Sequence, residues 1–264
     1  MKVRYCLLAA LGIAGCSSAR VEPERSPTPV RLQLFLLAGQ SNMAGRGTVE
    51  AQDREANPHV FMLDRRQQWM PAIDPVHFDK PVAGVGPGRA FGLALAEADH
   101  TVRIGLVPAA VGGSPIASWE PGSLDAATGT HPYDDAIAHA RATMLTGDLK
   151  AILWHQGESD SHEPLASAYE GRLRTLIERF RTDFGNQNLP FVIGQLGRFG
   201  GAPWDAAKTH VDSVHRALAS QMRNVSYVSS DGLKDKGDKT HFDAPSAREL
   251  GRRYADAYLA LVRK

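Results

Sequence analysis

The sequence predicts an α/β fold in which a parallel sheet is covered by helices on both faces. Short apolar runs rich in branched residues recur along the 264-residue chain, each short enough to be a strand buried on both faces. Helix-like segments separate these runs, and strands that alternate with helices build parallel sheets. The length suits one large domain with a single core.

Taken in order, the first strand is expected over residues 30–38, where the apolar run VRLQLFLLA stops at a glycine. Further strands are expected over residues 59–63, 102–108, 150–154, 189–196 and 225–229. The glycine-rich segment from Gly84 to Arg89 lacks the Lys-Ser/Thr of a phosphate loop. It is expected to open a helix over residues 88–98, through Phe91 and Leu95, and to line the rim of a site. Helices follow over residues 132–145, 163–184, 204–222 and 245–262. The clearest is 163–184, where Leu165, Tyr169, Leu173, Leu176, Ile177, Phe180 and Phe184 recur at three- and four-residue steps. Gly185 is its stop signal. The chain shows no internal repeat.

The beginning of the chain stands apart. Lys2 and Arg4 precede an apolar run, Leu7 to Ala14, that ends in small residues. That is the layout of a secretory signal and is too short to span a bilayer. The hexapeptide LGIAGC at residues 11–16 resembles a bacterial lipobox, which implies cleavage before Cys16 and a lipid on its sulfur. Ser17 stands where an inner-membrane retention signal would have aspartate, which favours a lipid-anchored location in the cell envelope, at the outer membrane. An ordinary secretory signal cut nearby is the alternative. Residues 1–15 are thus read as the signal, residues 16–29, with Pro23, Pro27 and Pro29, as a semi-extended tether, and residues 30–264 as the domain.

The only cysteine besides Cys16 is Cys6, so the domain has no disulfide and relies on its core. Without Lys2 and Arg4, 28 basic residues face 29 acidic ones. This near-neutral balance argues against a nucleic-acid surface and against membrane binding other than through the lipid. A neutral polymer or a small uncharged ester fits it better.

Four segments carry chemistry. In the first, GQSN at residues 39–42, a strand hands Ser41 to a turn at the C-terminal edge of the sheet, where open α/β sheets bind ligands. Ser41 is read as a nucleophile; a plain turn uses the same residues. The G-x-S-x-G elbow of the α/β-hydrolases is absent, because Met43 follows two after Ser41. In the second, Asp238 and His241 are three apart. A serine hydroxyl needs a base to take its proton and the base needs a carboxylate to orient it, whereas a helix-entry turn would explain the same pair. The third is Gly112-Gly113 after the strand at 102–108. An exposed Gly113 N–H suits an oxyanion, and so does an ordinary tight turn. The fourth is HQGESD at residues 155–160, where Gln156 offers an amide donor and His155, Glu158 and Asp160 are ionisable. Glu158 and Asp160 also fit a helix entry. The spacing of His155, Glu158 and His162 matches no common zinc pattern, and no metal is expected.

In order and placement these four segments resemble those of the SGNH hydrolases, and most closely carbohydrate esterase family 6 and the sialate O-acetylesterase-like proteins. The resemblance covers residues 30–264. It implies a flavodoxin-like, three-layer α/β/α sandwich and deacetylation of sugar esters without metal or organic cofactor. It implies Ser41 as nucleophile, His241 as base and Asp238 as its orienting acid, with Glu158 the alternative acid. The implied oxyanion donors are the N–H groups of Ser41 and Gly113 and the side chain of Gln156, at a position where the wider superfamily has asparagine.

The expected partner is an acetylated carbohydrate, xylan-like in the leading reading. A sialate substrate would call for a basic contact, for which Arg46, Arg89 and Arg198 are candidates. A lipid-anchored carbohydrate binder without catalysis is the reading from another class. Trp119, Trp204 and Phe199 are expected either to form an apolar platform for a sugar ring or to pack in the core.

Overall fold

The computed structural model describes Met1 and residues 31–263. The expectations for the signal, the lipidated Cys16 and the tether fall outside the described residues. Seven strands form one sheet: β1 (Leu32–Gly39), β2 (Val60–Leu63), β3 (Trp69–Pro71), β4 (Ile104–Pro108), β5 (Gly147–His155), β6 (Phe191–Gly194) and β7 (Val225–Val228). Their spatial order is β3-β2-β4-β1-β5-β6-β7, and every pair is parallel except β2 with β3. The helices are α1 (Ser41–Ala44), α2 (Pro87–Ala98), α3 (Pro132–Thr143), α4 (Leu165–Asp183), α5 (Ala206–Gln221) and α6 (Ala244–Val262). None of the described helices is long and apolar enough to cross a membrane.

The expected α/β class and its three layers are present. Along β1, Phe35 and Leu37 join the cluster that includes Phe91 and Leu95 of α2 and Leu250, Tyr254 and Tyr258 of α6. Leu36 and Ala38 join the opposite cluster, which takes in Tyr133 and Ile137 of α3, Tyr169 to Phe180 of α4 and Val211 to Leu218 of α5. Alternate side chains of a strand point to opposite faces, so a continuous apolar run is what a strand covered twice requires. On α4 the buried face is Tyr169, Leu173, Leu176, Ile177 and Phe180, as its periodicity predicts.

Two elements were not expected: the edge strand β3 and the single-turn helix α1. Each is too short to show a period, and β3 ends in a proline. The topology also locates the site. The chain leaves β1 for the β2–β4 side of the sheet and later crosses to β5 on the other side, so β1 and β5 flank the point where the winding reverses. Ligands of open α/β sheets bind outside the carboxyl ends of the strands at such a point.

Candidate active site

The site begins where β1 ends. Gly39 has φ +126°, and a Cβ there would collide with the carbonyl oxygen of His155 on β5. Only glycine lets the two strands approach this closely while the chain turns. The next residue donates from Gln40 N–H to that same oxygen at 2.8 Å, and the Gln40 carbonyl accepts from Met43 and Ala44 N–H, both at 3.0 Å. The resulting turn, α1, presents Ser41 at its first position, where an N–H has no intrahelical acceptor.

Facing Ser41 is the loop before α6. His241 Nε2 lies 3.0 Å from Ser41 Oγ, and His241 Nδ1 lies 2.8 Å from Asp238 Oδ2. The other Asp238 oxygen accepts from the N–H groups of Thr240 and His241 at 3.0 and 2.8 Å. Partial burial works to raise the Asp238 carboxyl, but the His241 backbone and ring, the Thr240 N–H and the charge of His241 outweigh it. Together they hold it well below the usual carboxylate range. Asp238 is therefore an anion at neutral pH, and a charge on the His241 ring would sit beside it.

Gly113 follows β4 with φ +85°, and its N–H makes no hydrogen bond among the described residues. The turn is held by Asp79, whose Oδ2 accepts from Gly112 N–H at 2.9 Å and from Arg46 Nη2 at 2.7 Å. Beside it stands Lys80, its Nζ 3.8 Å from where a Cβ on Gly113 would lie. The sequence reading missed Asp79 and Lys80. They come from the irregular stretch between β3 and α2, where no motif marks them.

The third segment is split by the alternation of β5. His155 turns toward α6, fully buried, with Nδ1 3.3 Å from the Tyr254 hydroxyl. Burial pushes its pKa down, so it is a neutral core histidine. Gln156 turns the other way, also fully buried. Its Nε2 donates to the Ser114 carbonyl at 3.2 Å and to Asp160 Oδ2 at 2.5 Å, while its Oε1 accepts from the Tyr169 hydroxyl at 2.9 Å. An amide has two protons to give, and both are taken. This corrects the expectation that Gln156 offers a free oxyanion donor. The physical reason is the two-residue period, which aims position 156 at α4.

Glu158, the alternative acid, does not touch His241. Its Oε1 accepts from Asn42 Nδ2 at 2.6 Å and lies 3.8 Å from His155 Nε2. Asp160 is buried, held by Gln156 and by Ile116 N–H at 2.9 Å. Of the aromatic candidates, Trp119 packs edge-on against Trp154 at 5.0 Å and Phe199 against Phe242 at 5.2 Å, both buried. Trp204 remains partly open, with Arg198 and Lys208 each 5.5 Å from its ring. Arg89 turns inward to the carbonyls of Ala72 and Glu55.

The structure thus brings Ser41, His241, Asp238 and Gly113 to one sheet edge, and leaves Gln156 in the packed layer beside it. A hydroxyl, an imidazole and a carboxylate in hydrogen-bonded sequence can move a proton off the hydroxyl. Residues 31–260 match the family model described as SASA, carbohydrate esterase, sialic acid-specific acetylesterase. A protein of Arabidopsis thaliana described as a probable carbohydrate esterase is 34% identical, over 90% of this chain and 95% of its own. Its solved structure superposes with a TM-score of 0.76 at 31% identity, covering 87% of this chain and 98% of that one. The crystal structure of NanS gives 0.75 at 16% identity, covering 89% and 99%. An acetylxylan esterase of Geobacillus stearothermophilus, Axe2, gives 0.51 at 14% identity, covering 87% and 95%.

Proposed function

The chain belongs to the SASA family of carbohydrate esterases and is a carboxylic ester hydrolase, and from that premise we propose that Ser41, His241 and Asp238 remove O-acetyl groups from a carbohydrate through an acyl-enzyme. The observation that carries this reading is the hydrogen-bonded line from Asp238 through His241 to Ser41, at 2.8 and 3.0 Å. Ser41 Oγ attacks the acetyl carbonyl carbon as its proton passes to His241 Nε2. The tetrahedral oxyanion is met by the N–H groups of Ser41 and Gly113. Asp238 keeps Nδ1 protonated and steadies the imidazolium. The C–O bond to the sugar then breaks, and the leaving oxygen takes the proton from His241. Water, deprotonated by the same nitrogen, attacks the acetyl carbon; the bond from that carbon to Ser41 Oγ breaks, Oγ takes the proton back from His241, and acetate leaves. Each oxyanion donor of this kind is worth roughly 3 to 4 kcal/mol of barrier.

Acetate release from acetylated xylan and from an O-acetylated sialic acid tests this. Ser41→Ala is expected to lower turnover by at least about 10³-fold on whichever substrate is used; a variant that keeps full turnover overturns the reading. Xylan-like esters are the leading substrate. The second reading, a sialate, is favoured by Lys80, whose ammonium stands beside Gly113 with no hydrogen bond or ion pair among the described residues. Arg46 is committed to Asp79. If an anionic sugar is the substrate, Lys80→Ala raises KM for it about tenfold and leaves the neutral ester unaffected.

The anchor at Cys16 and the envelope location belong to the same proposal and rest on residues 11–17 of the sequence. Fatty-acid labelling of the full chain is expected to disappear in Cys16→Ser; labelling that survives the substitution would exclude Cys16 as the anchor, and a full chain that takes up no label would exclude the lipid-anchored location.

A further inference from the structure

His241 is presented by a short exposed loop, yet a proton relay needs its ring held to within a fraction of an ångström. Two backbone groups flank it, the Thr240 carbonyl and the Phe242 N–H. One side chain takes both: Asn42 Nδ2 donates to Thr240 O at 3.0 Å, and Asn42 Oδ1 accepts from Phe242 N–H at 3.2 Å. The carboxamide thus brackets His241 from either side. Asn42 is 3% exposed and follows Ser41 directly on α1, so a single turn carries the reacting hydroxyl and the grip on its base.

The orientation of that carboxamide is itself set. The remaining Nδ2 proton goes to Glu158 Oε1 at 2.6 Å. A carboxylate only accepts, and the Phe242 N–H only donates, so the amide has one way round that satisfies all three partners. Charge-assisted hydrogen bonds are about twice as strong as neutral ones. Glu158 has a side chain only 10% exposed, its second oxygen has no hydrogen-bond partner, and it does not reach His241.

We infer that Asn42 and Glu158 are positioning residues: Glu158 locks the Asn42 carboxamide, and Asn42 holds the His241 backbone in register with Ser41. The inference rests on the serine esterase reading. It gives Glu158 a function other than that of a triad acid, acting through an amide instead of by its own charge on the imidazole. Misplacing a catalytic group by about 1 Å costs on the order of 10²-fold in rate.

The experiment is a double-mutant cycle on the full chain with a small activated acetate ester, alongside Ser41→Ala. Asn42→Ala and Glu158→Ala are each expected to lower kcat by about 10- to 100-fold with KM changed less than about twofold. The double variant is expected to fall no further than the worse single one, because both losses pass through one amide. Glu158→Gln, whose side-chain oxygen still accepts from Asn42, is expected to keep kcat within about threefold and the acidic limb of the pH profile unmoved. Folding is checked by circular dichroism and thermal melting, and the conservative Glu158→Gln variant keeps the test open should an alanine variant fail to fold. Additive losses in the cycle, or a Glu158→Gln variant as impaired as Glu158→Ala with a shifted acidic limb, overturn the inference. Full activity of Ser41→Ala would instead sink the serine reading beneath it, so the two failures are distinct.

Discussion

Gln156 and Asp238 show how a single residue's neighbours decide its work. Asp238-x-x-His241 is a local pattern, and local geometry closes it: the acid accepts from two N–H groups of its own loop and from the ring three residues on. Gln156 has one local partner, Asp160, and takes the others from farther along the chain. Its amide ties β5 to Ser114, Asp160 and Tyr169 across 42, 4 and 13 residues of chain. Gln156→Ala therefore acts on stability. The loss takes one of two donors from Asp160, already raised by burial against its hydrogen bonds, and leaves the buried Ser114 carbonyl without its Nε2 donor, while the Tyr169 hydroxyl keeps the Gln156 main-chain carbonyl at 3.0 Å. Buried polar groups left unpaired cost about 1 to 3 kcal/mol each. Thermal melting is expected to show a drop of several degrees, with kcat of the remaining folded protein changed less than about fivefold. A variant of wild-type stability and 10²-fold lower turnover would return Gln156 to the oxyanion hole.

At the scale of elements, the junction of β1, α1 and β5 is where fold and site are the same object. Gly39 allows β1 to sit against His155 while Gln40 N–H reaches the carbonyl that a Cβ at position 39 would strike. Gly39→Ala forces β1 off β5, and β1 is the centre of the sheet. The expected outcome is insoluble or unfolded protein in expression and circular dichroism; a soluble, active Gly39→Ala protein would contradict this account of the turn. The regular elements were legible because burial on two faces imposes long apolar runs and helical periods. Their ends moved by a few residues: β6 begins at Phe191, after Pro190, which has no N–H to donate to a ladder. α1 and β3 were not legible, because four and three residues carry too little pattern to outweigh a turn.

Across the whole molecule, a buried carboxyl in the connection between β3 and α2 couples the fold to pH. Asp74 is 2% exposed, with one carboxyl oxygen lacking a partner. Burial, then the charge of Asp53, push its pKa up to about 7, against Arg89, the Gly86 N–H and Arg248. In the unfolded chain this carboxyl loses its proton near pH 4. Between about pH 4 and pH 7 the folded state holds a proton that the unfolded state has released, so stability falls as pH rises through that window and stays lowered above it. Asp74→Asn keeps an acceptor for Gly86 and removes the titration. Its expected effect is a gain on the order of 3 to 4 kcal/mol at pH 8 that shrinks toward zero near pH 4, read from denaturant unfolding at both pH values. An equal difference at both would show that Asp74 does not titrate this way.

The α/β class, most element positions and the family were readable from residue order alone, because buried strands and amphipathic helices follow from nearest-neighbour patterns and the four segments lie within a few residues each. Which polar groups meet is settled by the folded chain. Asn42, Glu158, Thr240 and Phe242 are brought together from segments 116 and 198 residues apart, and Arg46 finds Asp79 across 33. Gln156 was drawn into the packed layer by the same alternation that buries its neighbours. A side chain's partners depend on sheet order and on which face it takes at a strand's end, and neither is written in the spacing of a motif.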